Sequence, residues 1–94
     1  MFVVRETFTA KPGQASKLAQ MFKQVMGNMP ALKTRVLTDH IGPFNTVVLE
    51  SETADLMELE KALQEYMSNQ ALRDQMKGYT ELYLEGGREV YKVV

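Results

Sequence analysis

The spacing of apolar positions changes along the chain, and each change marks an element. Residues 2–9, Phe2-Val3-Val4-Arg5-Glu6-Thr7-Phe8-Thr9, are rich in β-branched and aromatic types and predict a strand. Lys11-Pro12-Gly13 ends it, because proline cannot donate to a ladder. Ala15, Leu18, Ala19, Phe22, Val25 and Met26 then follow in steps of three and four. That spacing puts them on one helical face, with Lys17, Gln20, Lys23 and Gln24 opposite. Gly27-Asn28 predicts the stop, with Pro30 shortly after.

Period two returns over residues 32–40, where Arg35, Leu37 and Asp39 alternate with Thr34, Val36, Thr38 and His40. Ile41-Gly42-Pro43-Phe44 turns the chain, and residues 45–50 predict a third strand, apolar on both faces. Thr53 is placed to cap a second helix, with Asp55 and Glu58 near its positive end. Leu56, Leu59, Leu63, Tyr66 and Met67 form the expected buried stripe. Ser68 or Asn69 restarts a short helix through Leu72 and Met76, and Gly78 closes it. Residues 79–85 and 88–94 read as two strands joined by a tight turn at Gly86-Gly87.

This order predicts an α+β fold: a two-layer, ferredoxin-like βαββαβ sandwich with an extra C-terminal β-hairpin strand. Right-handed crossovers put both helices on one side of the sheet. The other face then has no cover within one chain. Consecutive residues Val47, Val48 and Leu49 cannot all point toward the helices, and neither can Phe2, Val3 and Val4. Apolar area left in water costs about 25 cal/mol per Å². A second copy laid over that face is the expected remedy, so a homodimer is expected.

Composition narrows the picture. Ninety-four residues predict one domain, 1–94. A formal net charge of −1, with both signs spread along the chain, argues against a nucleic-acid or polybasic membrane surface. No apolar run approaches the roughly 20 residues of a membrane span. Arg5-Glu6 follows too soon for a secretory signal. The chain has no cysteine, which excludes disulfides and thiolate chemistry. A cytoplasmic location is expected, with no membrane partner.

Candidate chemistry is sparse. His40 is the only histidine, a general base or ligand by type. Neighbouring strand residues point to opposite faces, so Asp39 does not orient it. The plainer reading is a strand-end histidine bonded locally, for example to Asn45. One histidine and scattered carboxylates do not make a zinc site. Ser16, Ser51 and Ser68 have no evident base, and the glycines lack phosphate-loop or dinucleotide spacing. Arg5, Glu6, Tyr66, Tyr79 and Tyr83 are the other groups able to line a cleft. Of the whole set, His40, Tyr66, Tyr83 and Arg5 are the expected ligand-binding residues, without metal or cofactor. The seven methionines suit adaptable packing, mostly on helical stripes.

Three segments resemble a known family. Thr9-Ala10-Lys11-Pro12-Gly13 resembles the opening of NIPSNAP-family domains. Ile41-Gly42-Pro43-Phe44-Asn45-Thr46-Val47-Val48 resembles their middle hairpin. Gly87-Arg88-Glu89-Val90-Tyr91-Lys92-Val93 is similar to the tails of related short bacterial proteins. The resemblance implies a dimeric α+β barrel, in a superfamily that includes antibiotic-biosynthesis monooxygenases, haem-degrading enzymes and chlorite dismutases. It carries over a fold but no agreed catalytic residues. The haem-degrading relatives use a Trp and a late helical His. This chain has no Trp, and no His in residues 54–78. Two functional readings follow. One is a homodimer binding a small apolar or aromatic molecule in a cleft between sheet and helices. The other is a cofactor-independent monooxygenase or isomerase of the antibiotic-biosynthesis type.

Overall fold

A computed structural model describes residues 1–29 and 32–94. Pro30, expected after the first helix, lies outside the described residues. Strand β1 runs Phe2–Ala10, helix α1 Ala15–Gly27, strand β2 Lys33–Thr38 and strand β3 Thr46–Thr53. Helices α2, Leu56–Ser68, and α3, Gln70–Gln75, follow, then a 3₁₀ turn at Tyr79–Glu81 and strand β4, Tyr83–Lys92. The four strands form one antiparallel sheet in the order β2-β3-β1-β4. This is the expected ferredoxin-like α+β arrangement.

The local chemistry explains the boundaries. Pro12 and Gly13 occupy the centre of a turn closed by Gln14 N donating to Lys11 O at 2.9 Å. Gly13 takes φ +81°, the left-handed conformation that a type II turn requires at its third residue. Helix α2 is capped by Asp55, whose carboxylate accepts from Glu58 N at 3.0 Å. Thr53, the expected cap, instead ends β3 and donates its hydroxyl to Asp55 O or the Glu58 carboxylate. Asn69 caps α3 by accepting from Leu72 N at 3.2 Å.

The core lies between the helices and one sheet face. Ala10 of β1 and Val47 and Leu49 of β3 cluster with Leu18, Phe22 and Val25 of α1, and Val4 of β1 is buried as well. The α1 stripe is the expected one. On α2 the stripe is shifted: Leu59 and Ala62 are buried, while Leu56 and Met67 are exposed.

The C-terminal hairpin is not formed. Gly86-Gly87 lies in the middle of β4, which pairs with β1 as one continuous edge strand. Gly86 stands opposite Phe8. A β-carbon there would come within 2.8 Å of Phe8 Cδ1, so the glycine makes room for the ring. Close approach, rather than a turn, accounts for this glycine.

On the outer face, register aligns Arg35, Glu50, Arg5 and Glu89 across the four strands. Glu50 accepts from Arg5 Nε at 2.8 Å and from Arg35 Nη2 at 2.5 Å. The two guanidinium groups leave its side chain only 11% exposed and hold its carboxyl below the usual range. Val3, Leu37, Val48 and Tyr91 share this face.

Candidate functional site

A cavity of about 270 Å³ opens between the inner sheet face and the helices. The sheet contributes Val4, Phe8 and Leu49 to its wall, and α1 contributes Phe22, Val25 and Met26. Helix α2 adds Leu59, Leu63, Tyr66 and Met67, and Met76 and Tyr79 close the far side. The amphipathic stripes thus do two jobs: they build the core and leave an apolar hollow within it.

Few polar groups reach this wall. Thr34 and Ser51, adjacent on β2 and β3, share a hydroxyl hydrogen bond of 2.6 Å, so each largely satisfies the other. Glu6 of β1 and Arg88 of β4 are the two charged residues of the lining. They are direct cross-strand partners and form an ion pair, Arg88 Nη2 to Glu6 Oε1, of 3.2 Å. Burial pushes the Tyr66 phenol above its ordinary range, against a smaller opposing effect of Arg73. Burial does the same at Tyr79, reinforced by Tyr83, Tyr66 and Glu6. Both phenols therefore stay protonated at neutral pH and act as hydrogen-bond donors.

Aromatic rings frame one end. Phe8 stacks between Phe22 and Tyr83, with centroids 4.9 and 5.0 Å away. Tyr79 lies 6.1 Å from Phe22 and 5.8 Å from Tyr83. These separations suit tilted and edge-to-face attraction.

The structure brings together only part of the expected ligand set. Tyr66 lines the cavity. Tyr83 supports it from behind, through Phe8 and Tyr79, without joining the lining. Arg5 projects from the opposite sheet face, because in β1 it alternates with Val4 and Glu6. There its guanidinium pairs with Glu50 and lies 5.6 Å from the centre of the Tyr91 ring. His40 is exposed in the β2–β3 turn and does not border the cavity. Side-chain bonds from other residues span this turn: Asp39 accepts from Thr46 N at 2.9 Å, and Thr46 Oγ1 donates to Pro43 O at 2.8 Å.

Arg88 was the unforeseen member. A turn at Gly86-Gly87 would have carried it away from β1. A continuous strand sets it opposite Glu6, the residue between Val4 and Phe8 on the inner face. Among the described residues, no three His, Asp or Glu side chains converge as a metal ion would require. No described helix is long and apolar enough to cross a membrane.

No family model matches the chain, and no curated protein matches it by sequence. Solved structures match over nearly its whole length. An uncharacterized NIPSNAP-like domain protein from Burkholderia xenovorans superposes with TM-score 0.85 at 16% identity, covering 99% of this chain and 84% of that one. A NIPSNAP family protein from Agrobacterium tumefaciens gives TM-score 0.84 at 12% identity, with 99% and 92% covered. A putative antibiotic biosynthesis monooxygenase from Chloroflexus aurantiacus gives TM-score 0.74 at 14% identity, with 99% and 92% covered. The fold of this chain is therefore that of the NIPSNAP domain proteins, shared more distantly with a putative monooxygenase.

Proposed function

We propose that the protein is a NIPSNAP-like homodimer that takes a small apolar or aromatic molecule into the cavity between sheet and helices. The cavity carries this reading. Its wall is mainly apolar and aromatic, with a few polar groups placed to orient a guest, as in small-molecule sites generally. A direct test is titration with the neutral fluorophore Nile red. The expected result is saturable, blue-shifted emission that is lost in Leu63→Trp, whose larger ring fills the hollow. Emission unchanged in that variant would place the dye elsewhere and remove the support. Chromatography of the recovered ligand separates binding from catalysis. A cofactor-independent oxygenase or isomerase would return its substrate altered, whereas a binding protein returns it intact.

The dimer is supported by area and by charge. The chain exposes 6561 Å², against about 5,500 Å² expected for a compact monomer of its 10.7 kDa. The excess is of the order that one partner contributes to a standard interface, about 800 Å². On the open face, a two-fold axis along the strands lays β2 of each copy over β4 of the other. Arg35 then faces Glu89 and Arg5 faces Glu50 of the partner copy. A two-fold across the strands would set Arg35 against Arg35, so the charge row favours the first arrangement. Light scattering should give twice the chain mass at micromolar concentration. Val48→Glu, on the open face, should shift it toward the monomer. A monomeric native protein would remove the proposal.

A further inference from the structure

We infer that the ligand carries a carboxylate, and that Arg88 is the residue that anchors it. This rests on the reading of the cavity as a small-molecule site and specifies the class of molecule: a small apolar or aromatic monocarboxylate.

The inference follows from what the polar groups of the wall can offer. Thr34 and Ser51 are engaged with one another. Tyr66 and Tyr79 bring protonated phenols, which can donate to an acceptor of the guest or accept from a donor. Arg88 brings a guanidinium with five N–H donors in a planar fork. Its nearest approach to Glu6 is through a terminal nitrogen, Nη2, at 3.2 Å. Arg88 borders the cavity, and its side chain keeps 44% of its surface exposed, so the guanidinium is accessible to a guest. The hydroxyls of the wall can donate or accept, whereas Arg88 can only donate, so the one fixed preference of the wall, apart from the already paired Glu6, is for an acceptor. A guest that complements it must supply acceptors, and a carboxylate supplies two oxygens with about four lone-pair sites. A cationic guest would find only Glu6, which Arg88 already neutralises.

The position of Glu6 serves this arrangement. It is the less exposed member of the pair, at 25%, and sits directly across the ladder from Arg88. That pairing tethers the guanidinium to the inner face beside the cavity. Bidentate guanidinium–carboxylate contacts are among the stronger hydrogen-bonded pairs, and they need this kind of prior orientation. The apolar remainder of the wall then takes the body of the molecule. Glu6 is here a positioning residue, and Arg88 the binding one.

The test compares three probes of the same shape: phenylacetate, phenylacetamide and phenethylamine. Isothermal titration of the wild-type protein should give tightest binding for phenylacetate, at least tenfold over the amide, and none for the amine. In Arg88→Met the acid should lose at least tenfold while the amide is unchanged. The double variant Glu6→Gln/Arg88→Met separates a lost anchor from repulsion by an unpaired Glu6. Acid binding should stay weak there, and in Glu6→Gln alone, whose amide oxygen can still accept from Arg88 and hold it in place, it should survive. Wild-type binding of amide and acid with equal affinity would overturn the inference and leave the cavity reading intact. So would acid binding restored in the double variant. Binding of none of the three probes, together with no Nile red response, would instead overturn the cavity reading itself.

Discussion

Replacing Phe22 with alanine should cost about 3–5 kcal/mol, the usual range for removing a buried aromatic side chain. A domain of this size has a total stability of about 5–15 kcal/mol, so a large share would be lost. Phe22 is only 3% exposed and stands where three features meet. It belongs to the buried stripe of α1, it touches the ring cluster through Phe8 and Tyr79, and it lines the cavity. The gap left by alanine would join the existing cavity, and the ring cluster would lose the contacts of Phe22 with Phe8 and Tyr79. Urea denaturation would show this as a lower midpoint at similar slope. Phe22→Leu, which keeps much of the volume, should lose clearly less. A midpoint shift for alanine worth under about 1 kcal/mol would mean that the ring is not part of the cooperative core.

The two helix-bearing halves of the fold were legible because their signals are local. The stripe of α1 at 15, 18, 19, 22, 25 and 26 uses six positions in consistent phase, so its inward face followed from spacing alone. The α2 stripe was harder. Leu56 and Met67 are apolar but lie at the two ends of the helix and stay exposed, Met67 reaching only the rim of the cavity, and small Ala62 takes the buried place between Leu59 and Leu63. Sequence spacing does not reveal where a helix leaves its support.

The candidate site was less legible because it depends on register. Two residues enter a common wall only if their strands pair in the right phase, and a slip of one residue moves every side chain to the other face. Arg5 and Glu6 are neighbours in sequence, yet one lies in the charge row of the outer face and the other in the cavity. His40 is attractive by residue type, but it falls beyond the end of β2 at Thr38, in a turn. Arg88 became visible as a site residue only once β4 was seen to be continuous. Gly86-Gly87 has the composition of a turn, and composition alone does not distinguish a turn from a strand that must admit a ring.

That distinction gives the second large effect. Gly86→Ala should destabilise the protein by about 1–3 kcal/mol, the cost of forcing an extra carbon into a packed site. The added carbon would stand 2.8 Å from Phe8 Cδ1 and 2.9 Å from Cε1. Phe22 and Tyr83 pack against the ring with centroids 4.9 and 5.0 Å away, so a retreat of the ring toward the cavity would give up these contacts. The backbone works the other way. Neither Gly86 nor Gly87 has positive φ, so alanine fits both conformations. Alanine then restricts the unfolded chain, which by itself stabilises by about 0.4–1 kcal/mol. At Gly86 the clash outweighs that gain. At Gly87, on the face that the proposed partner copy covers, no atom of the same chain beyond its sequence neighbours lies within 4 Å of an added β-carbon, so a methyl group meets no clash within the chain and the gain stands. Gly87→Ala should thus be neutral or slightly stabilising in thermal denaturation, while Gly86→Ala melts several degrees lower. The double variant Phe8→Leu/Gly86→Ala should recover part of the Gly86→Ala loss, because the shorter side chain vacates the contested space. Equal losses at the two glycines, without recovery in the double variant, would show that backbone freedom, rather than the approach of Phe8, is what this strand requires.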